Sequence, residues 1–134
     1  MTSNMDVVRG LYDAFAKGDV PAVLDAMDPN IEWREAENNP YKMDGQAWVG
    51  PDQITQELFM KLMSDWEGFT VTPNTFHDAG NTVIVEGRYT AKHNSTGKNL
   101  DAQFCHVWTI AGGKLAKFQQ YADTAQLQGA AGTR

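Results

Sequence analysis

The hydrophobic period of this chain changes once, and that change limits the possible folds more than any other feature. Up to about Gly68, apolar residues recur every three or four positions; beyond it they alternate. Helical spacing puts Met5, Val8, Leu11, Tyr12 and Phe15 on one face. Ser3 or Asn4 can cap that helix, and Gly18 can end it in a left-handed conformation. Asp19 caps a second, short helix with Pro21 in its first turn and Val20, Val23, Leu24 and Met27 apolar; Asp28-Pro29 stops it. A strand is expected near 31–37, then a polar loop to Gly50. Pro51 opens the longest helix, with Ile54, Leu58, Leu62 and Trp66 on its face.

The alternating half reads as strands near 69–77, 82–92, 99–110 and 114–122. Ala79-Gly80-Asn81, Asn94-Ser95-Thr96-Gly97 and Gly112-Gly113 supply turns short enough to force consecutive antiparallel hairpins. Helices followed by a meander make an α+β protein: a curved mixed sheet with three N-terminal helices across its concave side. Gly87, inside a strand, permits the bend. A strongly bent sheet of this kind leaves a conical hollow. The hollow is either filled by side chains or takes a ligand, and concave apolar sites with few polar groups are usually used.

A length of 134 residues suits one domain with one core, 1–134, with a loose tail from about 129. No apolar run reaches membrane-spanning length, and the N-terminus lacks a signal-peptide pattern, so a cytoplasmic protein is expected. A net charge of −6 argues against nucleic acid or an anionic membrane as partner. Cys105 is the only cysteine, which excludes an internal disulfide. Three scattered histidines without ligand spacing give no metal signature, and no glycine-rich phosphate loop is present. No cofactor is expected.

The chemistry-bearing residues lie on the strands. In FCHVW, His106 shares a face with Ala102, Phe104, Trp108 and Ile110. A histidine on an apolar face is either a core residue satisfied by Gln120 or a backbone carbonyl, or a working group in a pocket. Alternation also sets Glu35 beside Trp33 and Ile31, with Glu32 and Arg34 opposite. Phe118, Gln120 and Ala122 share a face of the last strand, where Gln120 can orient His106 or bind ligand, or simply bond across strands. Tyr12, Tyr41 and Trp48 could line the pocket entrance or pack. His77 and His93, at strand ends, are expected in solvent, and Asp123 caps the terminal turn of helix. Both faces of strand 82–92 carry mixed residues, which leaves the directions of Arg88 and Tyr89 open.

The run GDVPAVLDAMDPNIEW, then GPDQI, then HVWTIAGGKLAKFQQYAD resembles the SnoaL-like, ketosteroid-isomerase-like branch of the nuclear transport factor 2-like superfamily, over about residues 7–124. The resemblance implies a cone-shaped α+β barrel with a deep pocket, dimeric through the sheet's outer face. It also implies isomerase, polyketide cyclase, dehydratase or epoxide hydrolase activity, or none. The isomerase's general-base carboxylate falls on Glu35, and its oxyanion-side acid on His106. Its catalytic tyrosine falls on Leu11, with Tyr12 one residue away.

These readings converge on a cofactor-independent enzyme that moves a proton beside the carbonyl or hydroxyl of a small apolar compound. A carboxylate beside indole in a semi-apolar hollow should have a raised pKa, which suits Glu35 for acid/base work. His106 would polarise the ligand, within walls of Trp33, Phe104, Trp108 and Phe118. A non-catalytic binder of a hydrophobic metabolite and a structural dimer with a filled hollow are the alternatives. Cys105, Val107 and Thr109 form an outward face too apolar for bulk water, so a homodimer is expected. The loop 38–49 is expected to cover the pocket mouth. If His106 is an open pocket group facing Glu35, the two should titrate as a pair, and His106→Ala should leave the melting temperature unharmed.

Overall fold

The computed structural model describes residues 3–132. Helix α1 (Asn4–Lys17) starts from a capping box in which the Ser3 hydroxyl accepts from the Asp6 N–H, and ends at Gly18 with φ +69°. Helix α2 (Val20–Asp25) is capped by Asp19. Strand β1 covers Met27–Arg34, earlier than the expected 31–37. It starts at Met27 because that residue already pairs with Leu115, and a register irregularity between Met27 and Glu32 takes up Asp28 and Pro29. Those two residues therefore lie within the strand instead of stopping a helix before it.

A two-residue strand, β2 (Trp48–Val49), pairs with β1. Helix α3 (Pro51–Ile54), a π-helical stretch (Thr55–Phe59) and α4 (Met60–Asp65) follow one another directly. Trp66 was expected on the last turn of that helix but is already extended, with φ −123° and ψ 144°. It begins β3 (Trp66–Ala79), which pairs with β4 (Thr82–His93) over its whole length, from Trp66 opposite His93 to Ala79 opposite Thr82. Cross-strand pairing has overridden the helical spacing there. β5 (Asn99–Ala111) and β6 (Lys114–Ala122) complete the meander, and α5 (Thr124–Ala131), capped by Asp123, closes the described chain. The helix carries through Ala131, so residues 129–131 are helical where a loose tail was expected from about 129, and the last two residues lie outside the described ones.

The six strands form one mixed sheet in the order β2-β1-β6-β5-β4-β3. All neighbours are antiparallel except β1 and β6, which run parallel. Gly87 lies opposite Pro73, next to a register irregularity in β3. A Cβ there would lie 2.2 Å from the Thr72 carbonyl oxygen and 2.5 Å from the Phe104 ring, so only glycine lets β3 and that ring close onto β4. The core lines the concave side: Val83, Val85 and Tyr89 from β4, Leu100 to Ile110 at alternate positions of β5, and Leu115 and Phe118 from β6, under Val8, Leu11, Ile54 and Leu58 of the helices.

His93 departs from expectation. It is buried rather than solvated: its Nδ1 accepts from the backbone N–H groups of Ser95 and Thr96, and Trp66 meets its ring edge-on at 4.7 Å. His77 is exposed and pairs with Glu86 at 2.7 Å. Among the described residues no helix is long and apolar enough to cross a membrane.

Candidate functional site

The concave side holds a cavity of about 490 Å³. Its walls are mostly aromatic, from Trp33, Phe59, Trp66, Phe69, Trp108 and Phe118, and its polar lining includes Glu35, Asn39, Tyr41, Tyr89, His106 and Gln120. The exposed lining residues are Ala16, Gly18, Met63, Gly68 and Thr70. The mouth therefore opens between the α1–α2 turn, α4 and the start of β3. The loop 38–49 sends only Asn39 and Tyr41 to the wall, and Asn39 is buried. Tyr41, bonded to Asp65 and Trp66, reaches the α4–β3 edge of the opening, and none of the loop's residues other than Asn39 and Tyr41 lines the cavity.

Glu35 follows the last residue of β1 and keeps the strand's alternation, so it points inward after Ile31 and Trp33. Glu32 and Arg34, outward, pair with each other at 3.1 Å. The Glu35 carboxylate accepts one hydrogen bond, from the Trp33 indole at 3.3 Å. No Lys, Arg or His among the described residues forms an ion pair with it. Burial penalises the charged form and raises its pKa from 4.5 to about 8, and the indole bond opposes this only in part. Near neutral pH the neutral acid is therefore favoured over the carboxylate.

His106 is differently placed. It is buried on β5 with its ring stacked on Phe104, centroids 3.9 Å apart. Both ring nitrogens are engaged: Nδ1 with the Tyr12 hydroxyl at 2.6 Å, Nε2 with the Tyr89 hydroxyl. The Trp108 indole donates to Tyr12 at 2.9 Å, and the Gln120 amide donates to Tyr89 at 2.9 Å. Burial holds the imidazole well below its usual pKa and both phenols above theirs. The partners expected for a core histidine, Gln120 or a carbonyl, are replaced by two phenols. Nor do Glu35 and His106 act on each other: the group that feels the Glu35 charge is Tyr89.

Of the expected site residues, Trp33, Glu35, Tyr41, His106, Trp108, Phe118 and Gln120 meet in the cavity wall. Tyr12 and Phe104 do not; each stands one layer behind it, against His106. Trp48 pairs with Trp33 across β1 and β2 and is buried away from the mouth. Tyr41 donates to Asp65 at 2.8 Å and accepts from the Trp66 indole at 2.9 Å, a second polar cluster in the wall.

Tyr89 and Asn39 are the polar groups that sequence reasoning missed. Tyr89 alternates with Val83, Val85 and Gly87, a run that marks the inward face of β4 once Gly87 is read as part of it. Asn39 has no such signal, because it reaches the site from an irregular loop.

A family model described as SnoaL-like domain matches residues 8–118. A nuclear transport factor 2-like protein from Burkholderia thailandensis E264 is 32% identical, with a TM-score of 0.91 over 97% of this chain and 98% of that one. One of unknown function from Burkholderia pseudomallei K96243 is 27% identical, with a TM-score of 0.86 over 97% and 98%. TerC, crystallised with polyporic acid, shares the fold at 22% identity, with a TM-score of 0.84 over 96% and 98%. A comparison with curated proteins found no match.

Proposed function

Since the chain belongs to the SnoaL-like domain family, with the nuclear transport factor 2-like fold, we propose that it transfers a proton on a small, mostly apolar compound bearing a carbonyl or hydroxyl. The reaction would be an isomerisation, an aldol-type cyclisation or a dehydration, run without a cofactor. Glu35 takes or gives the proton. The polar group around His106 holds the oxygen on which charge develops, and Trp33, Trp108 and Phe118 shape the apolar walls.

One observation carries this reading. Glu35 is a buried carboxyl in an aromatic cavity, without a cation beside it and with a pKa near 8. A group kept only for packing or for an ion pair would not be left so.

Deuterium exchange tests it. In heavy water, the protein should speed exchange at the carbon next to the carbonyl in some members of a panel of small cyclic ketones. Glu35→Gln should abolish that acceleration while binding stays within a few-fold. Equal exchange with both proteins would sink the proposal.

A non-catalytic pocket for a hydrophobic metabolite is favoured by a different observation: most of the cavity's polar groups are already bonded to one another. TerC, which shares the fold, was co-crystallised with a small organic molecule, polyporic acid. Binding that survives Glu35→Gln, with no exchange in either protein, would select this reading.

The protein is further proposed to act as a cytoplasmic homodimer. Cys105, Val107 and Thr109 are half-buried on the outer face of β5 with Tyr121 exposed beside them. Sedimentation at micromolar concentration should give twice 14.8 kDa; a monomer would refute it.

A further inference from the structure

We propose that the Tyr89 hydroxyl, and not the His106 imidazole, is the hydrogen-bond donor that meets the ligand, with His106 locked as the Nε2–H tautomer behind it. This rests on the proton-transfer reading of the same cavity and assigns its oxygen-binding group. The ligand class is set accordingly: a molecule presenting a carbonyl oxygen, or another acceptor of similar strength, within reach of both Tyr89 and Glu35.

The direction of every bond in the cluster follows from backbone groups, whose polarity is not adjustable. The Tyr41 N–H donates to the Asn39 side-chain oxygen at 2.9 Å, so the Asn39 amide nitrogen faces Gln120. The Ala36 N–H donates to Gln120 Oε1 at 3.2 Å, and Asn39 donates to the same oxygen at 2.9 Å. The nitrogen of Gln120 is therefore the atom turned to Tyr89, and it donates. At the other end, the Trp108 indole can only donate, so Tyr12 oxygen accepts from it.

The hydrogen of Tyr12 then decides the tautomer. Tyr12 is buried behind the cavity wall, and His106 Nδ1 is the acceptor within its reach among the described residues. Were Nδ1 protonated, two donors would face the Tyr12 oxygen and its own hydrogen would be stranded in the core, a state buried polar groups avoid. Nδ1 therefore accepts, and neutral His106 carries its hydrogen on Nε2.

Nε2–H in turn donates to Tyr89. The Tyr89 oxygen now receives two hydrogen bonds, from His106 and from Gln120, and its own hydrogen has no acceptor among the described residues. Tyr89 lines the cavity, so that hydrogen is presented there. Two incoming bonds polarise a hydroxyl and strengthen what it donates. Burial keeps Tyr89 protonated, and the Glu35 charge adds to this wherever that carboxyl is ionised, so the donor persists through neutral pH. His106 is thus a positioning residue.

The tautomer can be read without a substrate. Nitrogen NMR of the whole protein, with His106 assigned through its backbone, should show Nδ1 unprotonated and Nε2 protonated, in roughly tenfold excess or more. Tyr12→Phe removes the hydrogen that imposes this, and the preference should collapse toward a mixture. A protonated Nδ1 in the wild type, or an unchanged ratio in Tyr12→Phe, overturns the lock.

Carbonyl-labelled acetophenone tests the donor. Its carbonyl carbon resonance should move downfield on binding, and the shift should be lost in Tyr89→Phe and kept in Glu35→Gln. A wild-type cavity that fails to take acetophenone, or takes it without a shift, overturns the donor assignment. Because Glu35→Gln spares both signals while removing exchange, failure here and failure of the acid/base reading are told apart.

Discussion

Glu35 and His106 face the same cavity from neighbouring parts of the sheet, yet their surroundings are opposite. His106 has both nitrogens bonded and a ring stacked on Phe104. Glu35 has a single indole bond and no ion-pair partner among the described residues. Both are neutralised by burial, the acid pushed up and the base pushed down. In His106 the neutral form is fixed by a network that determines where its hydrogen lies. In Glu35 the neutral form is held by desolvation alone, and a ligand can change it. A group bonded on both sides has its proton placed by its neighbours; a carboxyl with one weak bond does not.

The largest effect should come from breaking the bonded side. The expectation that His106→Ala leaves the melting temperature unharmed assumed an open pocket group, and the packing described above reverses it. The change removes the partner of two buried phenols and opens space beside Phe104. Its cost should be about 3–5 kcal/mol, a fall of ten degrees or more in a domain of this size. Thermal unfolding checks this; an unchanged midpoint would mean that the network holds nothing together.

The next effect is on pH dependence. Glu35 binds its proton more tightly in the folded state than in the unfolded one, so between pH 4.5 and about 8 its contribution to stability falls as pH rises. His106 binds its proton less tightly when folded, so its contribution falls as pH drops below its ordinary value of 6.5. The slopes oppose each other between 4.5 and 6.5, and Glu35 acts alone above. Denaturant unfolding should therefore show stability decreasing from pH 6.5 to 8 by up to about 1.4 kcal/mol per unit. Glu35→Gln should flatten that limb. A wild-type curve already flat there would mean that the carboxyl is solvated.

The smallest effect sharpens the comparison. Trp33→Phe deletes the one hydrogen bond that favours the Glu35 carboxylate, and the titration midpoint should move further up from about 8. Carbon NMR of the labelled carboxyl measures it. A downward move would show that the indole's bulk, by excluding water, outweighs its bond.

Much of this was readable in the chain. Alternation placed Glu35, His106, Trp108, Phe118 and Gln120 on inward faces, because strand periodicity is local and strong. The helix caps at Ser3, Asp19 and Asp123 were equally local. Trp66 was misread because it lies four residues after Leu62, at helical spacing, although one past the last helical residue Asp65, whereas pairing with His93 is a contact across the sheet. The role of Tyr12 was hidden for a similar reason: it lies 94 positions from His106, and nothing near it predicts that bond. Asn39 depends on loop geometry, which carries no period. Inward direction was legible; who bonds to whom was not.

The parallel pairing of β1 with β6 has a consequence in time. β1 is held on one side by the two-residue β2 and on the other by the last strand of the meander. Trp33 meets Phe118 in that ladder, a loop that closes only after Phe118 has left the ribosome. Until then Glu35 has neither its aromatic surroundings nor the Gln120 link beneath Ala36. A nascent chain can build its hairpins in order as they emerge, but the surroundings of the Glu35 carboxyl are completed only when β6 joins β1. A chain not yet extended to β6 would therefore carry an ordinary, solvated glutamate at that position, its proton long since lost.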